Sequence, residues 1–271
     1  MTTVAENIHQ AIADRAWHRK VMLNDPVLTP QERQALLQHW RQNRWWRPLA
    51  TTLARSFMHA ACTLAMARVH VVGRSNLPAD RRAIVVSNHF APLENLAVRK
   101  ALGNRRLFIV SELTNFAMTG MLGWLMRNAD TLPIVPDIHY LGRDFPQLLA
   151  ARLQKAPVLI YPEQALWPHY RKPRPGQIGA YHYAAMMHVP IISIFVEQTE
   201  AGHQVVHILK TLTADPALSP RAAAKVLQRA DDAQRQAAYT AIYHRPYTLE
   251  DDPRDFASPI RIAHKKTGTK W

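Results

Sequence analysis

The sequence predicts an α/β protein whose mixed, largely parallel sheet is flanked by helices and preceded by a helical N-terminal segment. From residue 68 onward, short apolar runs alternate with segments of helical periodicity, as expected of a sheet of parallel strands. Before residue 68, apolar residues recur at helical spacing instead. The 271 residues are 48% hydrophobic and 20% charged. This composition supplies a sizeable core and excludes wholesale disorder.

Residues 1–67 are predicted to form the N-terminal helical segment, with one helix before Pro48 and another after it. The second helix, at 48–67, has about the 20 residues that a bilayer span requires. Arg55 and His59 argue against a span, because an arginine at the centre of a spanning helix costs roughly 2.5–3.5 kcal/mol. We therefore expect this helix to lie on a membrane or on the rest of the protein.

The same segment mixes indole and guanidinium side chains in a way that suits a lipid headgroup layer. Residues 1–110 carry 16 Lys/Arg and 6 Asp/Glu, a net +10 of the chain's +14. We therefore predict peripheral docking on an anionic membrane surface. The alternative is that the tryptophans pack the helical pair against the main domain. The predicted docking residues are Trp40, Arg41, Arg44, Trp45, Trp46 and Arg47.

The α/β domain is predicted to cover residues 68–245, and residues 246–271 to form a loosely held basic tail. Each predicted strand is a short apolar run, and a long C-terminal helix begins after a capping serine. The strands are expected at 69–73, 83–87, 107–110, 131–135, 157–161 and 189–196. The helices are expected at 93–102, 113–128, 142–154, 177–188 and 219–243.

The cysteine count and the N-terminal sequence are used to predict the cellular compartment of the protein. Cys62 is the single cysteine, so a disulfide framework is impossible, and no CxxC or HExxH spacing suggests a metal site. The first ten residues lack a basic stretch followed by an apolar run, so we expect a cytoplasmic protein. Signatures of single-strand nucleic-acid binding are lacking as well, and no nucleic-acid partner is expected.

A candidate general base follows the second predicted strand. His89 lies just past the apolar run 83–87, and Glu94 falls in the first turn of the next helix. A carboxylate five residues on can hold the imidazole in one tautomer and stabilise its protonated form. Because no nucleophile is evident, the base would act on a hydroxyl of a bound substrate. The alternative is a capping histidine with an ordinary first-turn glutamate.

A second group of candidates follows the strand predicted at 157–161. Tyr161 and Glu163 end this strand, and Glu163 would face the same crevice as His89 if the two strands are neighbours. The basic loop after them places cations within reach of a substrate anion, although such a loop is also typical of a solvated surface. The candidate cations are Arg171, Lys172 and Arg174.

Together, the two strand ends resemble the glycerolipid acyltransferase family. Its members carry His-x4-Asp after an early strand and Phe-Pro-Glu-Gly-Thr-Arg after a later one. Here the motifs stand as NHFAPLE, containing His89 and Glu94, and YPEQALW, containing Glu163. Residues 123–136 and 189–196 resemble the two other blocks of the family. The resemblance covers roughly residues 68–200, with four blocks in order.

The resemblance implies that His89 deprotonates an acceptor hydroxyl, that Glu94 orients His89, and that the hydroxyl attacks a thioester. The implied donor is acyl-CoA or acyl carrier protein, and the implied acceptor is a lysophospholipid or glycerol-phosphate-type lipid. No metal or organic cofactor is implied beyond the acyl donor. The expected location is the inner face of the cell membrane. The alternatives are a lipid-binding or scaffold protein of this fold with altered activity, and an acyl hydrolase that uses water.

The sequence departs from the family pattern at both motifs. Glu94 stands where the family has aspartate, which keeps the charge and lengthens the side chain. Gln164, Ala165 and Leu166 stand where the family has Gly, Thr and Arg. Because the arginine expected to hold the acceptor's phosphate is missing, Arg171 and Arg174 are the leading predicted replacements, with Lys172 third.

Overall fold

The computed structural model describes residues 3–22, 28–42, 46–80, 82–199 and 203–257. A mixed, largely parallel sheet forms its centre, as predicted. Its strand order is β1-β7-β6-β2-β5-β3-β4, and β7 runs antiparallel to β6. The strands are β1 (His70–Val72), β2 (Ile84–Ser87), β3 (Phe108–Glu112), β4 (Thr131–Ile134), β5 (Val158–Leu159), β6 (Ile191–Gln198) and β7 (Gln204–Ile208).

Helices pack on both faces of the sheet, and three of those described come before its first strand in the sequence. The helices are α1 (Val4–Ala13), α2 (Pro30–Arg41), α3 (Arg47–Ala65), α4 (Glu94–Ala101), α5 (Gly120–Asn128), α6 (Phe145–Leu153), α7 (Gly179–Met186) and α8 (Pro220–Tyr243). Short 3-10 turns precede β2 and α5, and a π-helical turn leads into α6. The sequence did not predict α1 or β7, and it merged the turn at Leu113–Ala117 with α5.

The central strand β2 separates two apolar cores. Ile84 and Val86 pack with residues of α6, α7 and α8 on one face, whereas Val85 packs with residues of α4 on the other. Successive side chains of a strand point to opposite faces, so both faces of β2 must be apolar. All four residues of β2 are buried. The strand is therefore held rigidly, and the loop that follows it has a fixed origin.

Helix α3 lies on the domain, as one of the two predicted placements requires. It packs against α4 and α5. Arg55 donates to both carboxylate oxygens of Asp130, at 2.7 and 2.8 Å, and Arg106 approaches the same carboxylate at 2.6 Å. Burial opposes the charge of Asp130, but these hydrogen bonds outweigh it and lower the pKa of the carboxyl. Among the described residues, no helix is long and apolar enough to cross a membrane.

Both ends of the described chain pack against the loop that follows β5. Ile8 and Ile12 of α1 are buried against Trp167 and neighbouring residues of that loop. The prediction of a loose tail from residue 246 is wrong up to residue 257, because Asp255 is buried and ion-paired with Lys172 at 2.6 Å. The rest of the predicted tail, 258–271, lies outside the described residues.

Candidate active site

The loop after β2 is fixed by its first residue, Asn88. Its side-chain amide donates to the carbonyl of Val196 at 3.0 Å, and its carbonyl oxygen accepts from the Val196 N–H at 2.8 Å. This pair of hydrogen bonds ties the loop to the end of β6, the neighbour of β2. His89 comes next, so its backbone leaves the sheet in a defined direction at the carboxyl end of the strand.

His89 and Glu94 contact each other directly, as their spacing predicts. Nδ1 of His89 is hydrogen-bonded to Oε1 of Glu94. The other carboxylate oxygen accepts from the backbone N–H groups of Phe90 and Ala91, at 2.6 and 2.9 Å. Glu94 is the first residue of α4, and its side chain folds back over its own N-terminal turn. The carboxylate is buried while the imidazole is 19% exposed, so substrate can reach the ring but not Glu94.

Tyr161 fixes the plane of the imidazole. Its ring stacks on that of His89, with centroids 3.9 Å apart and an interplanar angle of 10°. Burial, and then the nearby Glu94 carboxylate, raise the pKa of the Tyr161 phenol well above its usual value, so the ring remains neutral. Tyr161 was predicted to contact substrate, and the contact observed is with the candidate base.

Glu163 lies at the centre of a buried group of charges, called here the Glu163 ion cluster. Its carboxylate accepts from the backbone N–H of His89 at 3.3 Å and from Arg174 Nε at 3.1 Å. It also accepts from the Arg174 N–H and from Arg235 Nη1, both at 3.0 Å. The members of the cluster are Glu163, Arg174, Asp231, Asp232 and Arg235.

The cluster gives Glu163 partners within the protein. Glu163 is 2% exposed, and its carboxylate accepts hydrogen bonds from the chain's own donors. Its predicted contact with substrate stays a prediction. Replacing it would leave two guanidinium groups buried without this partner, at a cost of about 3–5 kcal/mol. Its position next to His89 follows from the strand order, because β5 is the immediate neighbour of β2.

The three predicted phosphate-binding cations are buried as well. Arg174 is paired with Glu163, and its Nη1 donates to the carbonyl of Trp17 at 2.7 Å. Lys172 is paired with Asp255, and Arg171 is 8% exposed with its guanidinium over the Tyr243 ring. Arg174 and Lys172 are therefore engaged by carboxylates of the chain itself, and the guanidinium of Arg171 lies over an aromatic ring. That these cations hold the acceptor's anionic group stays a prediction.

The predicted membrane-docking residues divide between protein contacts and solvent. Trp40 packs against the main core, Arg41 pairs with Asp144 at 2.7 Å, and Arg47 donates to the Gln42 carbonyl at 3.0 Å. Trp46 is exposed. The alternative interpretation, in which the helical pair packs on the domain, thus applies to part of this set. Arg44 and Trp45 lie outside the described residues.

The sequence analysis does not predict three residues of the described site, Asn88, Trp167 and Arg235. Asn88 could have been found from its place between a strand end and the candidate base. Trp167, whose backbone N–H donates to the His89 carbonyl at 3.1 Å, directly follows positions 164–166, where the sequence departs from the family motif. Arg235 belongs to an Asp-Asp-x-x-Arg run on a helix, which is usually a solvated face. In the described ranges, no group of three or more His, Cys, Asp or Glu side chains could hold a metal ion.

Comparisons with known proteins indicate which protein family this part of the chain resembles. Residues 68–197 match the family model described as Acyltransferase. The fold is similar to that of the 1-acyl-sn-glycerophosphate (LPA) acyltransferase PlsC from Thermotoga maritima, with a TM-score of 0.53 and 16% sequence identity. That likeness covers 79% of this chain and 90% of the other. No curated protein matches the sequence.

The likeness to acyltransferases therefore lies in residues 68–197. The matched segment contains the candidate base, its carboxylate partner and Glu163, and it agrees closely with the range over which the motifs resemble the family. The family match agrees with the acyltransferase resemblance that the ordered motifs carry, and the likeness to PlsC shows a shared fold.

Proposed function

We propose that the protein transfers a fatty acyl group from a thioester to the hydroxyl of a lysophospholipid or glycerol-phosphate-type acceptor. The observation that carries the proposal is the contact between His89 and Glu94 at the carboxyl end of β2, within the segment that matches the family. The imidazole is accessible and its orientation is set by Glu94 on one nitrogen and Tyr161 on one face. Such a ring can act as a general base.

The proposed reaction depends on which imidazole nitrogen of His89 is not engaged by Glu94. Nδ1 of His89 is engaged by Glu94, so Nε2 accepts the proton of the acceptor hydroxyl. The hydroxyl oxygen attacks the thioester carbonyl, and the tetrahedral intermediate collapses by breaking the carbon–sulfur bond. The proton then passes from Nε2 to the departing thiolate. Glu94 stabilises the imidazolium that exists between the two proton transfers.

The acyl donor in this proposal is acyl-CoA or acyl carrier protein. Both carry negative charge, and the chain has a formal net charge of +14. Opposite charges favour encounter and raise association rates at low ionic strength. No resident cofactor is required, because the thioester itself provides the activated acyl group.

We also propose that the protein docks on an anionic membrane through α3. Side chains at positions 46, 49, 53, 57 and 64 share one face of this helix, because their spacing follows the helical repeat. They are large, apolar and exposed, and the face differs from the one that packs on the domain through Ala54 and Cys62. The members of this exposed apolar stripe are Trp46, Leu49, Leu53, Phe57 and Leu64.

The position of the stripe suits an enzyme with amphiphilic substrates. α3 packs against α4, and Leu93 at the start of α4 is exposed one residue before Glu94. A bilayer on this side would meet the apolar stripe and the loop of the candidate base together. The excess of positive charge in residues 1–110 would attract anionic headgroups to the same part of the chain. On this proposal the enzyme works at the cytoplasmic face of the cell membrane.

Docking is tested with vesicles that contain anionic lipids and a matched pair of variants. Leu53 and Val226 are each 55% exposed, on α3 and α8 respectively. Burying a leucine contributes about 1.5–3 kcal/mol, so Leu53→Glu should lower vesicle affinity at least tenfold. Val226→Glu, with the same change of charge, should leave affinity near that of the wild type. Equal effects of the two variants would contradict docking through α3.

The activity is tested by giving the wild-type protein acyl-CoA or acyl carrier protein, with acceptors presented in vesicles. We expect an acylated lysophospholipid or glycerol phosphate and an equal amount of free thiol. Release of free fatty acid without an acylated acceptor would assign the site to hydrolysis. Absence of turnover with every donor and acceptor, in folded protein, would contradict the proposal and favour a binding or scaffold role.

A further inference from the structure

Arg235 connects the C-terminal helix to the candidate base. It lies on α8, outside residues 68–197, and its side chain is fully buried. Its Nη1 donates to Glu163 at 3.0 Å, its Nε to Asp231 at 3.0 Å and its Nη2 to Asp232 at 2.6 Å. A planar guanidinium with five donors suits three carboxylates at fixed positions, and a lysine could not reproduce that arrangement.

Glu163 transmits this contact to His89. The oxygen opposite the one that Arg235 holds accepts the backbone N–H of His89, at 3.3 Å. The backbone carbonyl of His89 accepts from the backbone N–H of Trp167 at 3.1 Å. Both polar groups of the His89 backbone are therefore held by the 163–167 segment. The orientation of Glu163 determines one of these two hydrogen bonds.

The charges of the cluster make Arg235 necessary for that orientation. Three carboxylates face two guanidinium groups, and four of these five side chains are 2% exposed or less. Burial lowers the pKa of Arg235, but Asp231, then Tyr181 and Glu163, outweigh it and raise the pKa above its usual value. Without this cation, Arg174 would be the remaining cationic partner of Glu163, and the buried carboxylates of Asp231 and Glu163 would lose the positive charge that they share.

We infer that Arg235 is a positioning residue for His89 and acts through the Glu163 carboxylate. The inference rests on the proposed role of His89 as general base. Arg235 cannot touch substrate, because its side chain is buried beneath the loop. Its loss should therefore slow the chemical step and leave substrate binding nearly unchanged.

The kinetic test compares Arg235→Met with a matched control, Arg245→Met. Arg245 is a largely buried arginine just beyond the same helix, and it pairs with Asp255 at 3.0 Å. Within the part of the chain that the structure describes, it makes no ion pair or hydrogen bond with Glu163. For Arg235→Met we expect kcat to fall at least tenfold, with the KM of donor and acceptor within threefold of wild type. Arg235→Lys should recover part of that loss. Arg245→Met should lower the melting temperature without lowering kcat per folded molecule.

A second measurement follows the His89 ring independently of turnover. In protein labelled with 15N at histidine, the imidazole signal absent from His89→Ala identifies His89. Wild type should show a single tautomer protonated at Nδ1, and Arg235→Met should show a shifted or tautomer-averaged signal. If Arg235→Met is unfolded, Arg235→Lys is judged by the same criteria. A KM increase, a kcat equal to that of Arg245→Met, or an unchanged His89 signal would overturn the inference.

The two measurements separate the two claims. If the wild type transfers no acyl group, the proposed function fails, whereas the His89 signal still decides whether Arg235 positions the ring. If the wild type is active and the His89 signal of Arg235→Met is unchanged, the positioning role fails and the proposed function stands.

Discussion

Replacing Glu94 by glutamine tests the role of the carboxylate without changing the length of the side chain. In the wild type, one carboxylate oxygen accepts from the N–H groups of Phe90 and Ala91, and the other meets Nδ1 of His89. A glutamine has one acceptor oxygen and one NH₂ donor. Its oxygen must face the two backbone donors, because the NH₂ group would clash with them. The NH₂ group then points at Nδ1.

This arrangement sets the size of the effect. An NH₂ donor at Nδ1 stabilises the tautomer with the proton on Nε2, and that nitrogen can then no longer accept the acceptor's proton. The same change of tautomer lowers kcat by about 10⁴ in Ser-His-Asp enzymes. We expect a loss of roughly 10³ to 10⁴, about 4–5 kcal/mol in the activation free energy. Folding stability should change little, because the backbone hydrogen bonds remain.

The assay is thiol release from acyl-CoA with a vesicle-borne acceptor, checked by mass spectrometry of the lipid product. Glu94→Asp is the companion variant, since it keeps the charge but is one methylene shorter. Its shorter side chain should lose either the contact with the ring or the hydrogen bonds from Phe90 and Ala91 that Glu94 makes. A displacement of this size should cost on the order of 10²-fold. Turnover of Glu94→Gln within tenfold of wild type would refute this account of the pair.

Two further predictions concern stability. Because the pKa of Asp130 is lowered in the folded state, its ion pairs with Arg55 and Arg106 stabilise the protein above about pH 4 and are lost as pH falls through the folded pKa. Asp130→Asn should therefore lower the unfolding free energy at pH 7 by about 1–3 kcal/mol. Denaturant titrations should show that the difference from wild type becomes smaller toward pH 3. A difference that stays constant with pH would contradict the role of these ion pairs. A Cβ on Gly123 would lie 1.8 Å from the Met118 carbonyl oxygen, whereas one on Gly142 meets nothing within 4 Å. Gly123→Ala should lower the unfolding free energy, measured by thermal melting, by about 1–3 kcal/mol, whereas Gly142→Ala should change it by less than about 1 kcal/mol in either direction. Similar melting temperatures of the two variants would contradict the close approach of Gly123 to Met118.

The sequence predicts the sheet well where strands are buried on both faces. The apolar run that became β2 is continuous because each side of it meets a core, and such runs are visible without an alignment. The sequence leaves β7 unpredicted because most of its positions are only half-buried and because it follows β6 without an intervening helix. The sequence analysis leaves α1 unpredicted, although its signals are local: Thr3 and Glu6 form a capping box, and Val4, Ile8 and Ile12 recur at helical spacing.

The candidate site divides in the same way. His89 and Glu94 are five residues apart, so one turn brings them together, and their contact is predictable from spacing alone. The cations after Glu163 are visible in the sequence, but their partners are not. Asp255 is 83 residues from Lys172, and Arg235 is 72 from Glu163. Local sequence cannot reveal that such distant acids and bases meet in the interior.

The central claim, that His89 is the general base of an acyl transfer, is tested most directly by the turnover of His89→Ala. The variant should keep the wild-type circular dichroism spectrum and its affinity for vesicles, because the imidazole is partly exposed and its main partner, Glu94, retains two backbone hydrogen bonds. The account predicts acyl transfer at least 10³-fold slower than wild type. Acyl transfer by folded His89→Ala within tenfold of the wild-type rate would contradict it.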